Sequence, residues 1–235
     1  MQEVVFQYRG KEYRVENVDT YADIAHKLTN GHHNFLVCQV GEKMVDLNAP
    51  ITESSFQIDF FTFETPEGKD VYWHTAAHIL AQAVKKLFPG AKYTIGPSIE
   101  SGFYYDFDLG DKNLTPEDME AIEKEARKIT DANFPVVRKE LSKDEALVLF
   151  QSNPYKVEII KELPDEAVIS IYEQGDFVDL CRGPHLISTG VVKELKVMSI
   201  AGAYWRGDST KKMLQRVYAI AFDSSKALKK YLNFL

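Results

Sequence analysis

TPEGKDVYWHTAAHILAQAVKKLFPG, residues 65–90, divides the chain and decides how the rest is read. Its first six residues are polar and hold both a proline and a glycine, the composition of a linker, so a domain boundary is expected at 65–70. From Val71 the pattern changes. Ala76, Ala77, Leu80, Val84 and Leu87 recur at helical intervals and predict a helix from Val71 to Phe88, stopped by Pro89-Gly90. Within it His74 and His78 stand four residues apart, which puts both imidazoles on one face, one turn apart.

Upstream of this stretch the chain reads strand, turn, strand: Val4 to Tyr8, a reversal at Arg9-Gly10, then Tyr13 to Val15. Thr20 is a cap for a helix whose Tyr21, Ile24, Ala25 and Leu28 share one face, with Asn30-Gly31 as its stop. Strands Phe35 to Val40 and Lys43 to Asp46 flank a Gly41-Glu42 turn, and Phe56 to Phe63 alternates as a last strand. This order predicts a small β-grasp, ubiquitin-like domain over residues 1–64.

Downstream, Thr115-Pro116-Glu117-Asp118 joins a cap, a first-turn proline and first-turn acids, and Ser142-Lys143-Asp144-Glu145 fits a capping box, so two further helices are expected. Strand-like runs lie at Gly102 to Phe107, Phe134 to Lys139, Val168 to Tyr172, Lys196 to Ala201 and Leu214 to Phe222. The fold class expected is therefore α+β: the β-grasp module, then an α+β domain over 70–224 with a mainly antiparallel sheet. A helix-like segment follows at 225–235.

Composition narrows the function. Of 235 residues 45% are hydrophobic, enough for one large core or two modest ones. No apolar run reaches the roughly 18 residues of a membrane span, and Met1-Gln2-Glu3-Val4 lacks the plan of a signal peptide, so a cytoplasmic address with no membrane partner is expected. Cys38 and Cys181 fall in different predicted domains and are expected as free thiols. A net charge of -7 argues against holding nucleic acid by bulk electrostatics. An RNA partner would need local patches, for which Lys85-Lys86, Lys92, Lys211-Lys212 and Arg216 are the candidates, although such residues also serve as plain solvated positions.

The chemistry-bearing pattern is HxxxH…CxxxH: His74 and His78 on the helix, then Cys181 and His185 in Cys181-Arg182-Gly183-Pro184-His185, whose Gly-Pro forbids regular structure. A lone His or Cys is usually a packed or surface residue. Four able to converge suggest a polar site, and three nitrogen donors with one sulfur would suit tetrahedral zinc. Other residues stand out with plainer alternatives beside them: Lys156 after Pro154-Tyr155 reads as a surface lysine, Asp179 as a turn cap, and Gly96 to Asp106, which includes Tyr105, as core strand packing. In Ala201-Gly202-Ala203-Tyr204-Trp205-Arg206-Gly207-Asp208, small residues beside Tyr and Trp either let a ligand approach or make a tight bend.

HTAAH at 74–78, IGPSIESGFYYDFD at 95–108, DLCRGPH at 179–185 and AGAYWRGDSTKKMLQRVY at 201–218 together resemble bacterial threonyl-tRNA synthetases, along the whole chain. The resemblance implies a TGS domain at 1–64, an editing domain at 70–224 shared in outline with alanyl-tRNA synthetase, and at 225–235 the start of a linker helix to an absent class II catalytic domain. The implied activity is hydrolysis of serine misattached to threonine tRNA, so the partner is the acceptor end of tRNA(Thr) carrying serine. The parent enzyme would ligate threonine to that tRNA with ATP and Mg, needed only in the absent part.

By the same resemblance His74 orients or deprotonates water, and Lys156 holds a second water or the developing negative charge. Asp179 and His185 contact the seryl moiety and terminal adenosine, His78 and Cys181 line the pocket, Gly96 and Tyr105 form a wall, and Ala203 belongs to the substrate-binding set. Editing would require no cofactor, with zinc left open. The fragment is expected to be a monomer and the parent a homodimer. The rival readings are a non-catalytic RNA-binding or regulatory module, a free-standing trans-editing protein and a general zinc hydrolase.

Overall fold

The computed structural model describes residues 3–235, so the readings placed on Met1 and Gln2 lie outside the described residues. Contacts gather the described residues into two compact units: the chain up to Tyr72 with Gly183–Ile187, and Trp73–Arg182 with Ser188–Leu235. Each is α+β with mostly antiparallel sheets.

The first unit is a sheet in the order β2-β1-β5-β3-β4, formed by β1 (Glu3–Tyr8), β2 (Lys11–Glu16), β3 (Val37–Val40), β4 (Lys43–Val45) and β5 (Ser55–Phe61), with α1 (Tyr21–Leu28) crossing between β2 and β3. β1 and β5 run parallel at its centre while the other pairs are antiparallel, which is the β-grasp order. Local chemistry explains the turns. Arg9 (φ 50°) and Gly10 (φ 74°) both take the left-handed region that a two-residue hairpin turn needs. Thr20 and Asp23 cap α1 reciprocally. Its buried face, Tyr21, Ile24 and Ala25, packs with Phe6, Phe56, Ile58 and Leu47 into one core.

α2 (Pro66–Leu87) starts five residues earlier than the sequence reading placed it. The polar run at 65–70 is its cap and first turn, not a linker. The Thr65 hydroxyl accepts from the Gly68 N–H (3.1 Å), and Pro66 sits where a missing N–H costs nothing. Gly68 is required by contact: a Cβ there would stand 2.0 Å from the Thr62 carbonyl oxygen. The apolar side of the helix was also read one residue too long, because Leu87 is 37% exposed.

From Trp73, where the second unit begins, α2 is buried on almost every side, with Ala76, Ala77, Ile79, Leu80, Ala81, Ala83 and Val84 all fully covered. One antiparallel sheet runs β12-β13-β8-β6, built from β6 (Lys92–Tyr93), β8 (Gly102–Asp108), β12 (Glu194–Tyr204) and β13 (Met213–Phe222), with β7 (Ser98–Ile99) folding back on β8. α3 (Pro116–Ala132) packs on β12, capped reciprocally by Thr115 and Asp118 as expected. A second antiparallel sheet, β11-β10-β9, comprises β9 (Val136–Leu141), β10 (Ile169–Gln174) and β11 (Phe177–Leu180). α4 (Lys143–Leu149), with the expected Ser142–Glu145 box, and α5 (Pro154–Lys161) connect β9 to β10, and α6 (Ser225–Leu232) follows β13. α5 and β11 were not among the predicted elements. Among the described residues no helix is long and apolar enough to cross a membrane.

Gly102 opens β8 at φ +130°, and a Cβ there would meet the Ala219 carbonyl oxygen at 2.5 Å. Gly102→Ala should therefore cost roughly 2 kcal/mol or more, read as a lower midpoint in urea unfolding; an unchanged midpoint would show that β8 and β13 can part at no cost.

Candidate active site

Two regular elements set the centre of the site by matching rises. On α2, residues four apart are separated along the axis by about 6 Å; on a strand, residues two apart are separated by about 6.7 Å and point the same way. His74 and His78 on α2 therefore face Cys181 and Asp179, which alternate onto one side of β11 and its continuation. Cys181 Sγ lies 3.2 Å from His74 Nε2, and His78 Nε2 lies 3.5 Å from Asp179 Oδ2. The two imidazoles meet edge to face, their centroids 5.3 Å apart.

Cys181 is more regular than its Gly-Pro neighbours suggested. Its N–H donates to the Ser170 carbonyl (3.2 Å) and its carbonyl accepts from the Ser170 hydroxyl (2.6 Å), so β10 holds it as though the strand had one more residue.

Below this pair lies an ion pair almost sealed from water. Lys156 Nζ stands 2.5 Å from Asp179 Oδ1, and each side chain is 2% exposed. Lys156 is thus no surface lysine and Asp179 no turn cap. Asp179 Oδ2 accepts a short hydrogen bond from the Tyr105 hydroxyl, and Lys156 Nζ also approaches that hydroxyl at 3.4 Å and sits 5.4 Å from the centroid of the Tyr93 ring. The ammonium thus meets an opposite charge, a hydroxyl oxygen and a ring face, the surroundings a buried charge requires.

Burial sets the protonation of two of these groups. Burial holds the His78 imidazolium down to about 3, an effect that the nearby Asp179 charge opposes and His74 and Lys156 reinforce. His78 is therefore neutral at pH 7, and its contact with Asp179 is that of an imidazole with a carboxylate whose charge Lys156 already balances. Burial first and the Asp179 charge second push the Tyr105 phenol well above its ordinary value, so it remains a hydrogen donor.

Three supports place these groups. α5, which carries Lys156, is capped by Asn153, whose Oδ1 accepts from the Tyr155 and Lys156 N–H groups while its Nδ2 donates to the Tyr93 carbonyl (2.8 Å). β8 presents Tyr105, buried like Phe103 and Phe107 on alternate positions. Gly96 lies flat against that ring, where a Cβ would stand 2.1 Å from Tyr105 Cδ2. The aromatic run is core strand packing and site wall together.

Above the knot a cavity of about 510 Å³ is lined by His74, His78, Gly96, Tyr105, Lys156 and Cys181, with an apolar flank that includes Ile159 and Ile169. That volume suits a small ligand or the end of a larger one. Of the other predicted residues, Ala203 pairs with Leu214 between β12 and β13 and does not line this cavity. His185 lies in the first unit, fully buried, with its backbone N–H donating to Asp46 Oδ1 at 2.5 Å. Tyr93 and Asn153 were missed from sequence, although Asn153-Pro154 carries the same cap-then-proline signal as Thr115-Pro116.

His74, His78 and Cys181 place their ligand atoms within 4.8 Å of one another, a His/Cys cluster that could bind a metal. Two imidazoles and a thiol are donors that zinc accepts. The basic residues considered for RNA are largely engaged within the chain: Arg216 forks onto Asp106 (2.7 and 2.8 Å), Lys211 meets Glu158 (3.1 Å) and Lys86 lies 3.8 Å from Asp176.

A family model described as the threonyl and alanyl tRNA synthetase second additional domain matches residues 169–218, which span β10, β11, Cys181 and most of the β12–β13 hairpin. The similar full-length proteins are threonine–tRNA ligases. That of Clostridioides difficile is 50% identical over 229 residues, covering 96% of this chain and 36% of the ligase. Those of Protochlamydia amoebophila and Syntrophomonas wolfei are 48% and 50% identical, over 95% and 91% of this chain and 34% and 33% of theirs. The chain thus spans about a third of the length of the curated relatives it matches. Together these matches support the threonyl-tRNA synthetase family, in the region of the second additional domain.

Removing one partner of the Lys156–Asp179 pair leaves a buried charge alone, so Lys156→Met should cost about 3 kcal/mol or more, whereas adding Asp179→Asn to it should cost less than the two single losses summed. Chemical denaturation of the four proteins in this cycle checks it, and strict additivity would show that the two groups do not act as a pair.

Proposed function

We propose that the second unit hydrolyses the ester linking serine to the acceptor end of threonine tRNA. The observation that carries this reading is the cavity itself, a small chamber with a half-buried His74–Cys181 pair on its wall and the sealed Lys156–Asp179–Tyr105 knot at its base. The similarity to threonine–tRNA ligases supplies the substrate class.

The chemistry has modest needs. An aminoacyl ester requires a positioned water, a group to take its proton, donors for the developing oxyanion, and a proton for the departing ribose oxygen. His74, less buried than His78, is assigned to orient and deprotonate the water. Lys156, whose ammonium carries three hydrogens, is the donor assigned to the chamber floor, so charge developing there would meet a cation already in place, while the single Tyr105 proton stays on Asp179. Asp179 holds Lys156 and Tyr105 in position and would face the seryl group as a carboxylate whose charge is balanced. Gly96 and Tyr105 are assigned to a wall that a β-methyl would strike, His78 and Cys181 to the lining, and Asp179 and His185 to the seryl and terminal adenosine contacts, the latter by its place in the CxxxH motif.

Serine lacks one methyl of threonine, and a missing methyl yields only about 1–3 kcal/mol of discrimination in a synthetic site, hence the value of a second sieve that excludes the larger amino acid. The accompanying proposals are a TGS module at 1–64, an editing domain at 70–224, a cytoplasmic setting, and a parent homodimer that charges threonine with ATP. Intramolecular pairing of Arg216, Lys211 and Lys86 weighs against a purely electrostatic RNA-binding module.

Zinc held by His74, His78 and Cys181, with His185 as the fourth donor of the motif, would supply Lewis acidity, but the reaction proposed does not route through it. Seryl-tRNA(Thr) should be deacylated at least about a hundredfold faster than threonyl-tRNA(Thr), the scale of a one-methyl sieve, and His74→Ala should lose most of that rate; equal rates on the two substrates, or a wild-type rate in the variant, would refute the assignment. Dialysis against a chelator should leave the rate unchanged, and a loss restored by added zinc would replace this mechanism with a metal-dependent one.

A further inference from the structure

The run Tyr204-Trp205-Arg206-Gly207-Asp208, read from sequence as either a ligand approach or a tight bend, is a bend in the structure, and what it touches is the outer face of α5. The loop joining β12 to β13 closes on itself: the Trp205 N–H donates to the Lys212 carbonyl (3.0 Å), and Asp208 Oδ1 accepts from the Thr210 N–H and hydroxyl (2.9 and 2.7 Å). Its side chains then grip the helix. The Trp205 indole is 3% exposed, packs edge-on to Tyr155 with centroids 5.1 Å apart, and donates its N–H to Glu158 Oε2 at 3.0 Å. The other Glu158 oxygen faces Lys211 at 3.1 Å, and the Arg206 guanidinium forks onto Glu162 at 2.7 and 2.8 Å.

Tyr155, Glu158 and Glu162 follow one another at i, i+3 and i+7, a single stripe running along α5 to its C-cap, Glu162. Lys156 points from the opposite side into the buried ion pair. α5 has eight residues, too few to hold a helix by its own propensity. Its N-terminus is tied by Asn153, and the Tyr155 hydroxyl donates to Asp108 Oδ2 (2.6 Å). Past Tyr155, the outer stripe is held by the loop. Arg206 takes a left-handed conformation (φ 55°), which the two-bond fork onto Glu162 stabilises.

We propose that the Trp205–Lys212 loop is a brace that sets the position of Lys156, with Trp205 a positioning residue acting through Glu158 and Tyr155. The proposal rests on the deacylase reading for its kinetic consequence only. Its geometric consequence, a Lys156 ammonium kept out of water, is independent of substrate.

The test therefore uses two readouts on the same chain. Trp205→Phe keeps an aromatic ring against Tyr155 and removes the donor to Glu158; Glu158→Ala removes the acceptor; Glu158→Gln keeps an oxygen that Trp205 can reach. Competitive acetylation with acetic anhydride, read at each lysine by mass spectrometry, should rise severalfold at Lys156 in Trp205→Phe and Glu158→Ala and stay near wild type in Glu158→Gln. Deacylation of seryl-tRNA should follow, with kcat down about tenfold and KM unchanged in the first two variants, as expected for a displaced group near a reacting ester. Unchanged labelling of Lys156 in both would overturn the brace. So would a uniform rise at all lysines, which marks general loosening, or a change confined to KM. A wild-type chain that does not deacylate seryl-tRNA while labelling still rises would sink the deacylase reading and leave the brace standing.

Discussion

The site depends on keeping Lys156 charged beside Asp179 where almost no water reaches either. Removing an ammonium and a carboxylate from water costs several kcal/mol each, and mutual attraction offsets this only when the geometry is close and the remaining valences are filled. Here the contacts are close: Tyr105 donates to one carboxylate oxygen, Lys156 approaches the other, and the Tyr93 ring lies under the ammonium. Four elements must agree on position to within a few tenths of an ångström for this to hold, since β11 brings Asp179, α5 brings Lys156, β8 brings Tyr105 and β6 brings Tyr93. An ion pair of this kind is a poor source of stability. It penalises any packing of those elements in which the two charges fail to meet, and in that way selects one arrangement.

The cavity follows from the same constraint. Because Asp179 is drawn down onto Lys156 and Tyr105, the wall above it is left to side chains that neither need nor offer a full charge: a neutral His78, a half-buried His74 and a thiol. Gly96 completes the wall by being absent, in the sense that any Cβ would occupy the ring plane of Tyr105. The matched rises of helix and strand let two pairs, His74 with Cys181 and His78 with Asp179, form at once without bending either element.

The parts legible in sequence were those written in local chemistry. Helix caps at Thr20, Thr115 and Ser142, the reversal at Arg9-Gly10, the alternation of β5 and the strand-like runs of β1, β8 and β13 each follow from residues within a few positions of one another. The HxxxH spacing likewise fixed one face of α2. What was not legible depends on partners distant in the chain. Nothing near Lys156 marks it as buried, because the residues that cover it, Tyr93, Tyr105 and Asp179, come from three other strands. β11 is four residues long and contains an aspartate, a poor strand signal, and only its pairing with β10 makes it regular. The polar turn at 65–70 reads as a linker because a capped helix start and a loop share the same composition. Ala203 was carried by resemblance alone and stands away from the cavity.

Fixing protonation states divides the labour among groups of similar chemistry. Two histidines one turn apart would titrate together in water and could not be told apart as acid and base. Burial of His78 against a balanced ion pair removes it from titration near neutral pH, and the less buried His74 is left as the other imidazole lining the chamber. Tyr105 is constrained in the opposite sense: with its phenol held protonated by burial and by Asp179, it can donate a hydrogen bond but cannot act as a base. Sealing one side of the chamber thus leaves Lys156 at the floor and the less buried His74 on the wall, next to Cys181. The ester hydrolysis proposed above needs little more than that separation, which follows from packing rather than from any unusual side chain.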